Sequence, residues 1–256
     1  MFTKAIARPP APNFSQGLTT SGLGAPDYKR ACKQHEAYCA ALTRCGLTLT
    51  RLAPDPDYPD STFVEDTAIV TNRCAVLAQP GASSRRGEIE SIRNTLADFF
   101  PAFMSIEPPG TVDGGDVCET GRNFFIGISE RTNEAGAQQL AELLEPLGHP
   151  CSSVDIRDES GLLHLKSGLA YLGDNRLVVA ESLAGRAEFA GYDLVVVSSG
   201  EQYAANCVRV NNQVLVAAGY PAFTGKLRDL GYETITLEMS EFQKMDGGLS
   251  CLSLRF

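Results

Sequence analysis

The chain is 256 residues long, with 43% apolar and 21% charged residues, ordinary proportions for a globular protein that buries a substantial core. Its formal net charge of −9 argues against a nucleic-acid partner, because phosphate binding needs a basic face, and suits a small cationic ligand. No apolar run approaches bilayer length, and Met1 to Pro10 lacks the apolar centre of a signal peptide, so a cytoplasmic location is expected.

In chain order, Lys4 to Ala7 reads as a strand, followed by a loop rich in Pro, Ser, Thr and Gly. Asp27 to Cys45 reads as a helix: His35, Tyr38, Leu42 and Cys45 recur at helical spacing, and Gly46 is the stop. Leu47 to Leu52 alternates as a strand, and Pro54 to Pro59 is a turn-rich loop. Beyond it a pattern repeats. Four apolar strands each open on an asparagine-bearing turn: Asn72 to Ala78, Asn123 to Gly127, Asn175 to Ala180 and Asn212 to Ala217. Each follows another strand-like stretch, such as Thr67 to Val70 or Leu169 to Leu172, which reads as a hairpin.

A helix and an alternating strand come next in three of the four. Glu88 to Phe100 leads to Phe103–Ile106, Asn133 to Leu147 to Ser153–Ile156, and Gly225 to Leu230 to Glu233–Leu237. The remaining repeat offers only Ala184 to Phe189, a poor helix, before Leu194–Val197. With the N-terminal elements this makes about five β-β-α-β units of roughly fifty residues, a period that argues for blades around an axis. The expected fold is therefore an α/β five-bladed propeller, as a single domain 1–256. Residues from successive blades would then converge although they lie far apart in sequence.

The eight cysteines contain no Cys-x-x-Cys pair and only three histidines accompany them, so structural zinc is not expected and the thiols read as reduced. Among them, Cys251 follows Asp246-Gly247-Gly248-Leu249-Ser250, where glycines let the backbone come close to a ligand. Ser250 to Leu254 then alternates like a short strand, which puts Cys251 at a loop-to-strand junction. The stretch by itself equally suits a buried core thiol.

Asp60, Glu65 and Asp66 surround Phe63 in one segment; they read either as a solvated acidic loop or as acceptors for the forked N–H donors of a guanidinium. Asp113-Gly114-Gly115-Asp116 is either a tight turn or a backbone loop passing close to a ligand. His164, in an apolar run opening a strand, is the best-placed proton shuttle, since His35 and His149 sit on or beside apparent helices. Arg85 and Arg131 each follow a blade strand and precede a helix, where a cation is locally unfavourable unless it binds a carboxylate. Together these parts fit the two ends of an arginine-like amino acid.

Phe63-Val64-Glu65-Asp66, Asp113-Gly114-Gly115-Asp116, Arg131-Thr132-Asn133, His164-Leu165-Lys166 and Asp246 to Cys251 resemble, in this order, the motifs of the dimethylarginine dimethylaminohydrolases. That family belongs to the guanidine-modifying (pentein) group of five-bladed α/β propellers, with arginine deiminases and amidinotransferases. The resemblance runs from the first strand to Phe256. It implies hydrolysis of Nω-methylated arginine to citrulline and a methylamine, with no metal or organic cofactor.

On the same resemblance, Cys251 is the nucleophile, His164 the acid and base, and Asp113 the acidic catalytic residue that holds the guanidinium and balances its charge. Asp66 and Glu65 hold the guanidinium beside Phe63, with Asp60 supporting. Arg85 and Arg131 take the α-carboxylate. Main-chain oxygens of Leu18, on a mobile lid, and of Met245, with Asp246 nearby, take the α-amine. Asp113 stands where some bacterial relatives carry glutamate, and Lys166 stands where deiminases carry an aspartate, which favours a methylated substrate. The alternatives are an arginine deiminase or another guanidino or ureido hydrolase, and a ribosome-binding factor of the same shape, which the acidic charge opposes. A homodimer is a further expectation.

Overall fold

The structure, a computed structural model, describes residues 1–256. Chain contacts divide it into two compact units, where the sequence reading gives a single domain: residues 1–64 with 206–256, and residues 65–205.

The first unit begins with β1 (Lys4–Ala7), α1 (Tyr28–Arg44) and β2 (Thr48–Arg51). β1 and β2 pair in parallel, a connection that needs a crossover, and α1 supplies it. The Asp27 side chain accepts from Arg30 N at 2.8 Å and caps α1, and Gly46, at φ +91°, ends it as expected. His35, Tyr38 and Leu42 face inward.

The second unit contains three repeats. In the first, β3 (Ala68–Val70) and β4 (Ala75–Leu77) form a hairpin, and α2 (Glu88–Leu96) carries the chain to β5 (Met104–Ser105). In the second, β6 (Val117–Glu119) and β7 (Phe124–Ile128) are followed by α3 (Glu134–Leu144) and β8 (Cys151–Asp155). In the third, β9 (Leu169–Gly173) and β10 (Arg176–Ala180) reach β11 (Asp193–Val197) through 3-10 turns at Glu181–Leu183 and Ala187–Phe189, in the place of the poor helix. β7 is buried on both faces. Phe124, Ile126 and Ile128 enter one apolar core with Leu140 and Leu144 of α3, and Phe125 enters another with Leu165, Leu177 and Phe189.

The chain returns to the first unit with β12 (Val208–Val210), β13 (Gln213–Ala217), α4 (Pro221–Asp229) and β14 (Glu233–Leu237). A short helix, α5 (Ser240–Gln243), and β15 (Leu254–Arg255) complete it. All five sheets have three strands, and in each the middle strand is antiparallel to one neighbour and parallel to the other. The N-terminal sheet obtains its antiparallel strand from the other end of the chain, with Ala5 opposite Arg255 and Ile6 opposite Leu254.

Two local expectations are corrected. Ser250–Leu252 is a 3-10 turn, not a strand, and pairing begins only at Leu254. The cause is a side chain: Asn206 Oδ1 accepts from Ser250 N at 2.9 Å and its Nδ2 donates to Ser250 Oγ at 3.0 Å, which curls the segment. His164 does not open a strand either. It precedes the 3-10 turn Leu165–Ser167, because Leu165 N donates to the Asp116 carboxylate at 2.9 Å and not to a neighbouring strand. The positive-φ turn before β13 is made by Asn211 (φ +55°), one residue earlier than the asparagine singled out in the sequence.

Candidate active site

Cys251 lies in the first unit, buried, with Gly248 N donating toward its Sγ at 3.4 Å. A donor aimed at sulfur favours the thiolate over the thiol. The glycines before it serve closeness more than bending. A Cβ on Gly247 would stand 2.2 Å from Phe63 Cε1, and one on Gly248 would stand 2.5 Å from the Asn206 side chain. The left-handed residue of this turn is Asp246, at φ +57°.

Phe63 is a core ring, 5.9 Å from Phe14 and 6.3 Å from Phe242, so it supports the turn from below. Asp60 is buried, and both its oxygens accept from Leu18 N, at 3.0 and 3.1 Å. Leu18 itself is exposed. Its loop is fastened further on: Thr20 N donates to Asp246 Oδ2 at 2.5 Å, and the hydroxyls of Thr19 and Ser21 donate to Lys244 O at 2.8 and 2.7 Å. Met245 is buried, its Cε 3.2 Å from where a Gly17 Cβ would sit.

The second unit gathers a denser set of charges. His164 Nε2 and Asp113 Oδ2 are 3.0 Å apart, and both residues are buried. Burial alone would push the imidazole down, but the carboxylates of Asp66, Asp116 and Asp113 outweigh it and raise His164 to about 9. Asp66 moves the other way. Burial opposes its ionisation, yet His164 and Arg85 hold it at about 2, helped by Gly115 N, which donates to Oδ1 at 2.8 Å. His164 is therefore an imidazolium and Asp66 a carboxylate at neutral pH.

Gly115 makes this pairing possible. A Cβ there would lie 2.7 Å from His164 Nδ1 and 2.8 Å from Asp66 Oδ1. Gly115→Ala must displace one of them and loosen the pairing, so the His164 midpoint should fall, read by NMR titration of a variant shown folded by circular dichroism.

Arg85 is held within the chain. Its Nη1 donates to Asp66 at 2.6 Å, while Nε and Nη2 form a fork on Glu88 at 3.0 and 2.9 Å. The cation that the sequence reading gives to a ligand carboxylate is thus engaged by the chain's own acids, and Glu88 is a partner the sequence did not reveal. Removing one member of such a buried trio costs about 3–5 kcal/mol. Arg131 is more open, its side chain 17% exposed and Nη1 3.8 Å from Asp113 Oδ2. Glu65, expected at the guanidinium, is bonded to Lys166 Nζ at 2.6 Å.

Asp66, Asp113 and His164 bring possible metal-ligand atoms within 4.8 Å of one another. Asp66 is already committed to Arg85 and Asp113 to His164, so the set is arranged for charge pairing more than for a metal ion.

No protein-family model matches the chain. It is 47% identical to the N(G),N(G)-dimethylarginine dimethylaminohydrolase of Pseudomonas aeruginosa, over 100% of both chains. It is 35% identical to that of Streptomyces coelicolor, over 98% of this chain and 96% of the relative. The chain belongs to the dimethylarginine dimethylaminohydrolase family. Among solved structures, a cysteine-to-serine mutant of the Pseudomonas aeruginosa enzyme complexed with citrulline superposes with a TM-score of 0.97, at 46% identity and 100% coverage of both chains. The five sheets are the blades of the five-bladed α/β propeller expected from the repeats.

Proposed function

We propose that this protein hydrolyses asymmetric dimethylarginine and monomethylarginine to citrulline and dimethylamine or methylamine. The observation that carries the mechanism is the charge state of His164: an imidazole kept protonated by buried carboxylates is an acid suited to an amine leaving group. Cys251 attacks the guanidinium carbon as thiolate and forms the C–S bond. The bond from that carbon to the methylated nitrogen breaks as His164 gives it a proton, leaving an S-alkylthiouronium on Cys251. Neutral His164 then takes a proton from water, whose oxygen adds to the same carbon. The C–S bond breaks, the thiolate is restored and the ureido group of citrulline is formed. Water is the only co-substrate, so the reaction balances without metal or cofactor.

Asp113 and Asp66 balance the guanidinium charge, since burying that cation without carboxylates is prohibitive. Glu65 contributes less directly, because Lys166 already neutralises it. That loss of an acceptor favours a guanidinium with methyl groups over one with its full set of N–H donors. The exposed main chain at Leu18, with Met245, Asp246 and Asp60 beneath it, receives the α-amine, with Phe63 underneath the turn. Arg131 takes the α-carboxylate, and Arg85 acts mainly through Asp66. On this reading residues 1–256 act as one catalytic domain, because the proposed reaction needs both Cys251 and His164.

No helix is long and apolar enough to cross a membrane, and all eight cysteines are free, as a reducing, cytoplasmic setting would keep them. Assembly as a homodimer is open to size-exclusion chromatography with light scattering.

Arg131→Ala should lower kcat/KM for dimethylarginine by about 10²-fold, mostly through KM, as loss of a charge-assisted hydrogen bond does. The same variant should treat an analogue lacking the carboxylate as the parent protein does; equal losses on both would remove Arg131 from the carboxylate. The activity itself is tested by citrulline release from arginine and from asymmetric dimethylarginine side by side. Faster turnover of the methylated compound supports the proposal, and faster turnover of arginine would make the protein a deiminase.

A further inference from the structure

Asp116 is fully buried, yet no cationic side chain pairs with it. Its Oδ1 accepts from Leu165 N at 2.9 Å, and its Oδ2 accepts from Ser129 Oγ and Thr132 Oγ1, both at 2.7 Å. Each partner leads to a residue of the proposed reaction. Leu165 follows His164 in its turn. Thr132 Oγ1 also accepts from Asp113 N at 3.0 Å, and Ser129 Oγ accepts from Arg131 N at 3.0 Å. The packing leaves no slack, since a Cβ on Gly127 would stand 2.8 Å from Asp116 Oδ1 and 2.8 Å from Leu165 Cβ.

A neutral amide would not meet the same hydrogen-bonding demand. Its oxygen would accept from Leu165 N, but Ser129 Oγ already accepts from Arg131 N and Thr132 N, so its O–H needs an acceptor at Oδ2 that an NH2 group does not offer. A carboxylate buried here with no cation hydrogen-bonded to it is costly nonetheless. Its charge also acts on a neighbour, the His164 imidazole, whose turn it holds through Leu165 N.

We propose that Asp116 is a positioning residue: its carboxylate holds the His164 turn, Asp113 and Arg131 as one unit, and its charge sustains the imidazolium form of His164. The charged groups around that imidazole are Asp66, Asp113 and Asp116, with Arg85 on Asp66, Arg131 near Asp113, and the Lys166–Glu65 pair beyond. Burial raises Asp116 to about 6, against the pull of His164 and the three hydrogen bonds, so it is ionised at neutral pH. The catalytic meaning of this role rests on the proposed hydrolysis; the electrostatic coupling does not.

The test compares the intact protein with Asp116→Asn. The imidazole of His164 is titrated by NMR, its signal assigned by its absence in His164→Gln, and kcat/KM for asymmetric dimethylarginine is followed against pH. Loss of a nearby opposite charge shifts a pKa by about one unit or more, so the His164 midpoint should fall by that amount. The basic limb of kcat/KM should fall with it, and kcat should drop about twofold at pH about 8 and close to tenfold at pH about 10 while KM changes little. A folded Asp116→Asn protein with the His164 midpoint unchanged would overturn the inference. Should that variant not fold, Asp116→Ser carries the test: it also removes the charge and should lower the His164 midpoint, and an unmoved midpoint overturns the inference equally. Parent protein inactive on methylated arginine would refute the proposed hydrolysis alone, since the titration still decides the coupling.

Discussion

Cys251→Ser is expected to lose turnover of asymmetric dimethylarginine by on the order of 10⁴-fold or more, as removal of an activated nucleophile does. A serine hydroxyl is far less acidic than a thiol and has no base within its own turn. The fold should survive, because the turn is held by Asn206 on Ser250 and by Phe63 under Gly247, contacts that the substitution leaves in place. Ligand binding should survive as well, since the groups proposed to hold the amino acid are elsewhere. Calorimetric titration with dimethylarginine, alongside the activity assay, checks both halves. A variant that has lost binding and thermal stability together would mean that Cys251 matters to the structure and not to bond making.

His164→Gln should lower kcat by about 10²–10⁴-fold with a smaller effect on KM, the range for loss of a general acid and base. The pH dependence gives this prediction a sign. His164 is raised to about 9 in the folded protein, so its acidic form is present at neutral pH and is lost as the pH rises through that value. kcat/KM of the parent protein should therefore decline above pH about 9, and the decline should be absent in the variant.

Stability follows the same direction. A raised imidazole stabilises the fold fully below its unfolded value of about 6.5, and that contribution is lost between there and about 9. Asp66, lowered to about 2, contributes above its unfolded value and loses that contribution as the pH falls toward 2. Asp116, raised to about 6, works against Asp66: folding disfavours its ionised form, so its cost to the fold grows as the pH rises from its unfolded value to about 6. Melting temperatures measured from pH 6.5 to 9 should thus fall in the parent protein and fall less in His164→Gln. Equal slopes would show that the imidazole is not held charged by its acids.

The repeats were legible because hairpins and crossover helices leave different periodicities in the chain. β14 is bounded at Glu233–Leu237 as read, and the weak helix read over Ala184 to Phe189 corresponds only in its second half to a 3-10 turn, Ala187–Phe189. The pairing of β15 with β1 was not legible: two residues are too short to carry a period, and their partner lies at the other end of the chain. The same limit explains Cys251 and His164. Each sits in a turn set by a distant side chain, Asn206 in one case and Asp116 in the other, and local alternation cannot report such a contact.

The charged residues were found as types and not as pairs. Asp113 was read at the guanidinium and not beside His164, and that pairing, like Arg85 on Glu88 and Glu65 on Lys166, depends on which acid reaches which cation first. Glu88 reads in sequence as an ordinary first-turn helix acid. Only its burial against the Arg85 fork distinguishes it.

The central claim is that sulfur bonds to the guanidinium carbon while His164 supplies a proton to the departing amine. Acid-quenching the protein during turnover of asymmetric dimethylarginine, followed by peptide mass spectrometry, tests it most directly. The account predicts that the peptide ending in Phe256 gains the mass of the substrate less dimethylamine, carried on Cys251. Full turnover with that peptide unmodified, or with the added mass on another residue, would contradict it.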